Sequence, residues 1–147
     1  MNERIKKAVE NYTSGYNCAQ SILCAYSSTI GMSESEAYRL AEGFGSGMGG
    51  LQETCGAVSG MFTVLSYLNS DGTPGSKKTR GITYKKVRDS AGKFKDLYGS
   101  VICREILLNN DGIGCVKKVE DAAKILELFL ADSQKYKVSP SEKAVNE

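Results

Sequence analysis

"GSGMGGLQETCGAVSGMF", residues 45–62, places one cysteine between a glycine-rich loop and an apolar segment. Glycine loses more conformational entropy on ordering than any other residue, so a run of glycines indicates a turn or a close approach of two backbones. From Thr54 to Leu68 apolar residues recur at helical spacing. This pattern predicts a central core helix that begins beside Cys55, with core positions at Val58, Met61, Phe62, Leu65 and Leu68.

Further amphipathic helices are predicted on both sides of this segment. Asn17, Ser33 and Ser100 stand where N-terminal helix caps are expected. Alternation of apolar and polar residues at period two is absent, so no strand is predicted. The predicted helices cover residues 3–13, 17–29, 34–41, 82–98, 101–110 and 115–132.

The fold class that follows is all-α, a single compact helical bundle of about six or seven helices. A chain of 147 residues is about one domain long. We expect this domain to cover residues 1–132. The polar segment 133–147 has no apolar stripe, so a flexible C-terminal tail is predicted there.

The charge pattern argues against two classes of partner. The net charge is only +2, and basic residues are scattered among acidic ones, so no nucleic-acid partner is expected. The N-terminal segment lacks the apolar core of a signal peptide, and no uncharged apolar run is long enough to span a membrane. A cytoplasmic location without a membrane span is predicted.

Cysteine is abundant and histidine is absent. The chain has five cysteines and no histidine, which removes Cys–His catalysis, Cys–His zinc sites and histidine-ligated haem. In a reducing cytoplasm, cysteines favour metal ligation or redox chemistry over a structural disulfide framework. Chemistry in this protein is therefore expected to depend on sulfur, carboxylates or backbone.

The setting of Cys55 suggests a reactive thiol. Residues 45–50 match GxGxxG, but a predicted helix rather than a strand precedes them, which disfavours a dinucleotide site. The N–H groups and the dipole at a helix start favour a thiolate, so we expect a lowered pKa and the fastest alkylation at Cys55. Gly56 and Gly60 share one helix face, which can admit another backbone or a cluster.

Four segments carry a family resemblance: "YNCAQSIL", "GGLQETCGAVSGMFTVLSYL", "FKDLYGSVICREIL" and "CVKKVEDAAKILEL". Over about residues 17–130 they resemble a bacterial family named for its C-GCAxxG-C-C cysteine pattern, with the central motif CGAxxG. The resemblance implies a redox role with no assigned substrate. The matching positions are Cys18, Cys55, Cys103 and Cys115, with Gly56, Ala57 and Gly60 completing the central motif.

The resemblance implies that these four cysteines are the redox-active residues and candidate metal ligands, and that the three motif residues shape a cofactor-binding site. Family members are often encoded near transporter genes, so a transporter association is one hypothesis, and a homodimer is another. No redox partner is identified. Cys24 is extra to the pattern and points away from Cys18 around its helix, so we expect it to fill the core.

Three functions remain open from the sequence. Four thiolates are the ligand set of an iron–sulfur cluster or of a Cys₄ metal site, although the wide spacing disfavours an ordinary zinc ribbon. Thiol–disulfide exchange is equally compatible, with Cys103 or Cys115 resolving a disulfide formed at Cys55. The alternative is a small helical interaction module, with a transporter as one partner, whose cysteines are buried only for packing.

Overall fold

The structure, a computed structural model, describes residues 2–109 and 114–135. In these ranges seven helices of seven or more residues form a compact bundle, and no strand is present, which confirms the all-α prediction. Within the same ranges, no helix combines the length and apolar character needed to cross a membrane. The helices are α1 (Glu3–Thr13), α2 (Cys18–Ala25), α3 (Glu34–Ala41), α4 (Gly56–Asn69), α5 (Arg80–Tyr98), α6 (Cys103–Asn109) and α7 (Cys115–Lys135).

Side-chain caps fix the starts of α2 and α3, as predicted. The Asn17 side chain accepts a hydrogen bond from the Gln20 backbone N–H, and the Gln20 side chain accepts one from the Asn17 N–H. This reciprocal capping box satisfies N–H groups that have no partner within the helix. Ser33 caps α3 by accepting a hydrogen bond from the Glu36 N–H.

The end of α2 differs from the prediction of a helix through Thr29. The helix ends at Ala25, and residues 26–31 form turns. The Ser27 hydroxyl donates a hydrogen bond to the Cys24 carbonyl at 2.9 Å. Such local side-chain bonds offer the backbone an alternative to the helical ladder, and Gly31 follows at a left-handed φ of 73°.

Helices α2 and α4 cross closely at the centre of the bundle. A Cβ atom placed on Gly60 would lie 3.0 Å from the Ile22 Cβ and 3.1 Å from the Ala19 carbonyl oxygen. Both contacts are tighter than ordinary van der Waals separations, so glycine is what permits this crossing. The glycine face of α4 therefore admits the backbone of α2.

Helix α7 closes the bundle against α1, α2, α4 and α5. The Tyr26 hydroxyl donates a hydrogen bond to the Glu127 carboxylate at 2.6 Å. Arg4 pairs with the same carboxylate through two hydrogen bonds of 2.7 and 2.8 Å. This network ties α1 to α7 across the core. The α7 side chains with no solvent exposure are Val119, Ala122, Ala123 and Leu126.

Some apolar residues of α4 and α5 lie outside the core and are exposed to solvent. Leu68, in the last turn of α4, is 40% exposed, so its assignment to the core was wrong. Helix α5 contacts the bundle along a narrow edge of buried residues, which leaves several of its apolar side chains in solvent. The buried residues of α5 are Ser90, Phe94 and Tyr98, and its exposed apolar residues include Ile82, Tyr84 and Leu97.

The observed bounds of the last two helices differ slightly from the predicted ones. Helix α6 begins at Cys103, and Ser100 accepts a hydrogen bond from the Ile102 N–H just ahead of it. Helix α7 continues past residue 132 to Lys135. The rest of the predicted tail, residues 136–147, lies outside the described residues, so the division at residue 132 stays a prediction.

Candidate redox site

Each of the four family cysteines stands at the start of a helix. Cys18, Cys103 and Cys115 are the first residues of α2, α6 and α7, and Cys55 occupies the N-cap position of α4. All four line one open cavity of about 430 Å³. Backbone N–H groups are unpaired at helix starts, and the helix dipole is positive there. The fold therefore assembles four sulfur atoms around one cavity, although they are widely separated in the chain.

A short backbone pairing holds the starts of α4 and α6 together. Thr54 and Ile102 form an isolated antiparallel bridge. Beside it, the Cys55 N–H donates to the Val101 carbonyl at 2.8 Å, and the Cys103 N–H donates to the Glu53 carbonyl. This pairing fixes the positions of Cys55 and Cys103 relative to each other.

The glycine loop, residues 45–54, passes against these two segments in a left-handed conformation. Ser46, Gly47 and Gln52 have φ angles of 52°, 70° and 57°. A Cβ atom on Gly47 would lie 2.6 Å from the Gln52 Cα and 2.8 Å from the Cys103 Cβ. Glycine is needed at this position both for its φ angle and for its closeness to Cys103.

In the GxGxxG match, the glycine at position 47 therefore allows close packing against Cys103. In the described ranges no strand leads into the glycine loop, so the arrangement that holds a dinucleotide pyrophosphate is missing there. A Cβ atom on Gly45 would lie 2.6 Å from the Asn17 side chain. The loop thus also packs against the cap of α2.

The three residues of the central motif occupy different places. Gly56 lies at the cavity wall, where an added Cβ atom would be 3.0 Å from the Cys18 Cβ. Ala57 and Gly60 are buried and are not among the residues that line the cavity. A cofactor-binding role for the three stays a prediction, and the contacts of Gly60 are with α2.

Cys18 and Tyr12 line the same cavity as Cys115, and hydrogen bonding from each of them acts on the pKa of the Cys115 thiol. The bond from Cys18, with smaller contributions from the positive charge of Lys118 and from Tyr12, lowers the pKa of Cys115 to about 5, although burial opposes this. As the donor, Cys18 has a pKa well above its ordinary value, and burial raises it further. The pair therefore holds one thiolate and one thiol.

Cys55 is not the activated thiol, contrary to the prediction from its position at a helix start. Its side chain is only 5% exposed, and burial raises its pKa, outweighing hydrogen bonds from the Val58 and Ala57 N–H groups. Burial also raises the pKa of Cys103, against the effect of the Lys118 charge. At neutral pH the thiolate is at Cys115.

Tyr12 and Lys118 are site residues that the sequence analysis missed. Lys118 is 2% exposed and lines the cavity, one helical turn after Cys115. Its i, i+3 spacing from Cys115 is a signal that the sequence does contain. From the sequence, Tyr12 belongs only to the helix predicted over residues 3–13. Burial, followed by the charges of Cys115 and Cys18, raises its pKa to about 12, so it remains a neutral hydroxyl.

Cys24 is separate from the cavity, which confirms its prediction as a core residue. It is 4% exposed, and its thiol donates a weak hydrogen bond to the Glu34 carbonyl at 3.6 Å. Burial raises its pKa to about 11. Cys24 is thus a protonated core residue, and none of the five cysteines forms a disulfide.

The role of the four cysteines as metal ligands stays a prediction. Across the part of the chain that the structure describes, no three cysteine, aspartate or glutamate side chains form a group able to hold a metal ion. A single Cys-ligated ion would therefore require the cysteine side chains to move.

The fold and the cavity define a class: a small all-α protein with four cysteines at helix starts around one open site. The chain belongs to the family described as "Putative redox-active protein (C_GCAxxG_C_C)", whose model matches residues 16–129. This match confirms the resemblance and supports a redox role in general. Comparisons with curated proteins and with solved structures give no match for this chain.

Proposed function

We propose that the four-cysteine cavity carries out thiol–disulfide exchange, with Cys115 as the nucleophile and Cys18 as the resolving cysteine. The observation that supports this most directly is the interaction of Cys18 with Cys115 in one cavity, which lowers the pKa of Cys115 and raises that of Cys18. It places a thiolate beside a thiol, which is the arrangement that a dithiol oxidoreductase needs.

The reaction balances with a disulfide of the thiol pool as the oxidant. The Cys115 thiolate attacks one sulfur of this disulfide, the S–S bond breaks, and the first thiolate leaves and takes a proton from solvent. Cys18 then loses its proton to solvent and attacks the Cys115 sulfur of the mixed disulfide. The second thiolate leaves with a proton, and two electrons have passed from the cysteine pair to the substrate.

Cys55 and Cys103 contribute to the same cavity as protonated thiols. Their raised pKa values keep them less nucleophilic than Cys115 at neutral pH. The backbone pairing of Thr54 with Ile102 holds the two segments that carry them side by side at the cavity. Their part in the proposal is to line the substrate cavity.

A Cys-ligated iron–sulfur cluster is the second candidate function. It is supported by the convergence of four cysteines on one cavity, since four thiolates are the usual ligand set of such clusters. Iron and sulfide bound after anaerobic reconstitution, and lost together in Cys55→Ser and Cys103→Ser, would favour the cluster. The opposite pKa shifts of Cys18 and Cys115 favour exchange.

Trapping of the mixed disulfide tests the proposed exchange. With a chromogenic aromatic disulfide, Cys18→Ser should release one equivalent of aromatic thiolate in the fast phase and retain the other on Cys115. The wild type should release two equivalents, and Cys115→Ser should lack the fast phase. A fast phase that survives in Cys115→Ser would reject the assignment.

The proposed chemistry also supports a cytoplasmic location, because the thiol pool there can return the cysteine pair to the reduced state. A redox partner, a transporter association and a homodimer stay hypotheses. The alternative of an interaction module with cysteines buried for packing is less well supported, since Cys18, Cys103 and Cys115 are only partly buried.

A further inference from the structure

We propose that Lys118 makes the cysteine cavity selective for small molecules that carry a carboxylate, so that the substrate of the exchange is an acidic disulfide of low molecular weight. The substrate class rests on the proposed function, whereas the selectivity for anions does not require exchange. Lys118 is not among the positions that define the cysteine pattern of the family.

The wall of the cavity carries little charge. Among its described lining residues no aspartate or glutamate occurs, and Lys118 is the only lysine or arginine. The other lining residues are cysteines, tyrosines, glycines, a serine, two side-chain amides and the apolar Ile106 and Leu107. A wall with one cation and no carboxylate attracts anions and disfavours cations. With a volume of about 430 Å³, the cavity has the size of a small-molecule site.

Lys118 is buried at this wall. It is 2% exposed, whereas the side chain of its neighbour Lys117 is 49% exposed. Lysine is almost never fully buried unless its charge is paired. A lysine ammonium has several N–H donors, so Lys118 can bind a ligand in addition to its interactions within the protein. Burial also strengthens its attraction to a bound carboxylate, because water screens the pair less.

The position of Lys118 suits a substrate held on the proposed nucleophile. Lys118 stands three residues after Cys115 on α7, and both line the cavity. Residues at this spacing share one helix face, with Cβ atoms about 5–6 Å apart. In the exchange, the cysteine sulfur bonds to one half of the substrate, and the other half leaves as a thiolate. A carboxylate on the bound half can then pair with Lys118.

Two alkylating reagents of nearly equal size test the selectivity. Iodoacetate carries a carboxylate where iodoacetamide carries a neutral amide, and both alkylate a thiolate with loss of iodide. The ratio of the two rates at one cysteine is therefore independent of how much of that cysteine is ionised. We measure this ratio at pH 7 on the reduced full chain by peptide mass spectrometry and divide it by the ratio for free mercaptoethanol. At the cavity cysteines it should fall about tenfold in Lys118→Met.

Lys117→Met is the matched control on the same helix. Lys117 is not among the described lining residues, and it pairs with Glu120 and Asp121 at 2.8 and 3.2 Å. This change should leave the ratio within about twofold of the wild type. Lys118→Gln is a second neutral variant, which keeps a polar side chain, and the same tenfold fall, roughly, is expected in it. If both Lys118 variants match Lys117→Met, the inference is overturned.

The substrate class is tested with the disulfides of mercaptopropionate, mercaptoethanol and cysteamine, which are acidic, neutral and basic. Rates of mixed-disulfide formation are measured in Cys18→Ser and divided by the rates with free mercaptoethanol. The acidic disulfide should react at least about tenfold faster than the basic one, and adding Lys118→Met should remove this preference. Equal rates for the three would reject the acidic substrate and leave exchange intact.

The alkylation ratio also separates this inference from the proposed function, because alkylation needs no disulfide. A preference for iodoacetate that both Lys118 variants lose, in a protein that forms no mixed disulfide, would support the anion selectivity and reject exchange. Mixed disulfides that form normally, with an alkylation ratio that does not respond to Lys118, would support exchange and overturn the role of Lys118.

Discussion

Cys18 and Cys115, the first residues of α2 and α7, line the same cavity, and their interaction lowers the pKa of Cys115 and raises that of Cys18. Both residues also stand where helix N–H groups are unpaired. The packing of helix ends therefore brings distant cysteines together without a local C-x-x-C motif. The interaction also gives the two sulfurs different charges, which suits them to different roles in exchange.

Cys115 should be the most reactive cysteine of the reduced protein. Because its pKa is lowered to about 5, its thiolate forms as the pH rises through that region, and alkylation should reach half of its plateau near pH 5. Cys55 should react only at a pH above the ordinary range of a cysteine thiol, because burial raises its pKa. Labelling at several pH values with peptide mass spectrometry measures both. Faster labelling of Cys55 at pH 7 would contradict the assignment.

Cys24→Ala should separate packing from redox chemistry. Cys24 is buried outside the cavity, so we expect its loss to reduce the free energy of unfolding by about 1 kcal/mol. The rate and extent of exchange should remain those of the wild type. Cys18→Ala is the matched change in the same helix, and it should abolish the intramolecular disulfide. Denaturant unfolding and thiol counting provide the measurements. Loss of exchange in Cys24→Ala would contradict the assignment of Cys24 to packing and of the cavity cysteines to redox chemistry.

Gly60→Ala should destabilise the bundle. The added Cβ atom would meet the Ile22 Cβ and the Ala19 carbonyl oxygen, and neither is the end of a flexible side chain. We expect a loss of about 1–3 kcal/mol in the free energy of unfolding. The control is Gly92→Ala in α5, where nothing lies within 4 Å of the added atom and a gain of about 0.5–1 kcal/mol is expected. Equal effects of the two changes would show that α2 and α4 do not cross this closely.

Glu127→Gln should remove a pH-dependent part of the stability. Burial raises the pKa of Glu127, but hydrogen bonds from Arg4 and Tyr26 outweigh it and leave the pKa below its ordinary value. A depressed carboxyl pKa stabilises the fold above the unfolded value of about 4.3, and this contribution is lost as the pH falls through the lower folded value. At pH 7 we expect a cost of about 1–2 kcal/mol, reduced from the range for charged bonds because Arg4 is 38% exposed.

The control for Glu127→Gln is Asp89→Asn, which breaks the exposed ion pair with Lys85. Exposed pairs contribute little, so a change below about 0.5 kcal/mol is expected. Thermal unfolding between pH 3 and pH 7 gives both values. A difference between wild type and Glu127→Gln that does not shrink below pH 4 would contradict the role given to the carboxylate.

The sequence allowed the helices and the cysteine set to be predicted, because both depend on local patterns. Asn17 and Ser33 begin helices through short-range hydrogen bonds, which the sequence records directly. The family resemblance of the segments around them identified the same four cysteines that line the cavity. These features needed no knowledge of how the helices pack.

The charge states of the cysteines could not be predicted in the same way. A helix start favours a thiolate at Cys55, but burial by neighbouring helices outweighs that local effect. Cys115 is activated by Cys18 and Tyr12, which come from other helices. Such contacts depend on tertiary packing. For the same reason Leu68 looked like a core residue, although its helix extends past the partners that would have covered it.

A redox titration of the pairing between Cys18 and Cys115 tests the central proposal most directly. The reduced full-length protein would be equilibrated in glutathione buffers of defined potential, quenched with acid, alkylated and digested, and its disulfide-linked peptides identified by mass spectrometry. We expect one dominant reversible linkage, Cys18 to Cys115, with a midpoint within or near the cytoplasmic range of roughly −220 to −320 mV. Reversible linkage of other cysteines, or no reversible disulfide at any potential tested, would contradict the proposal.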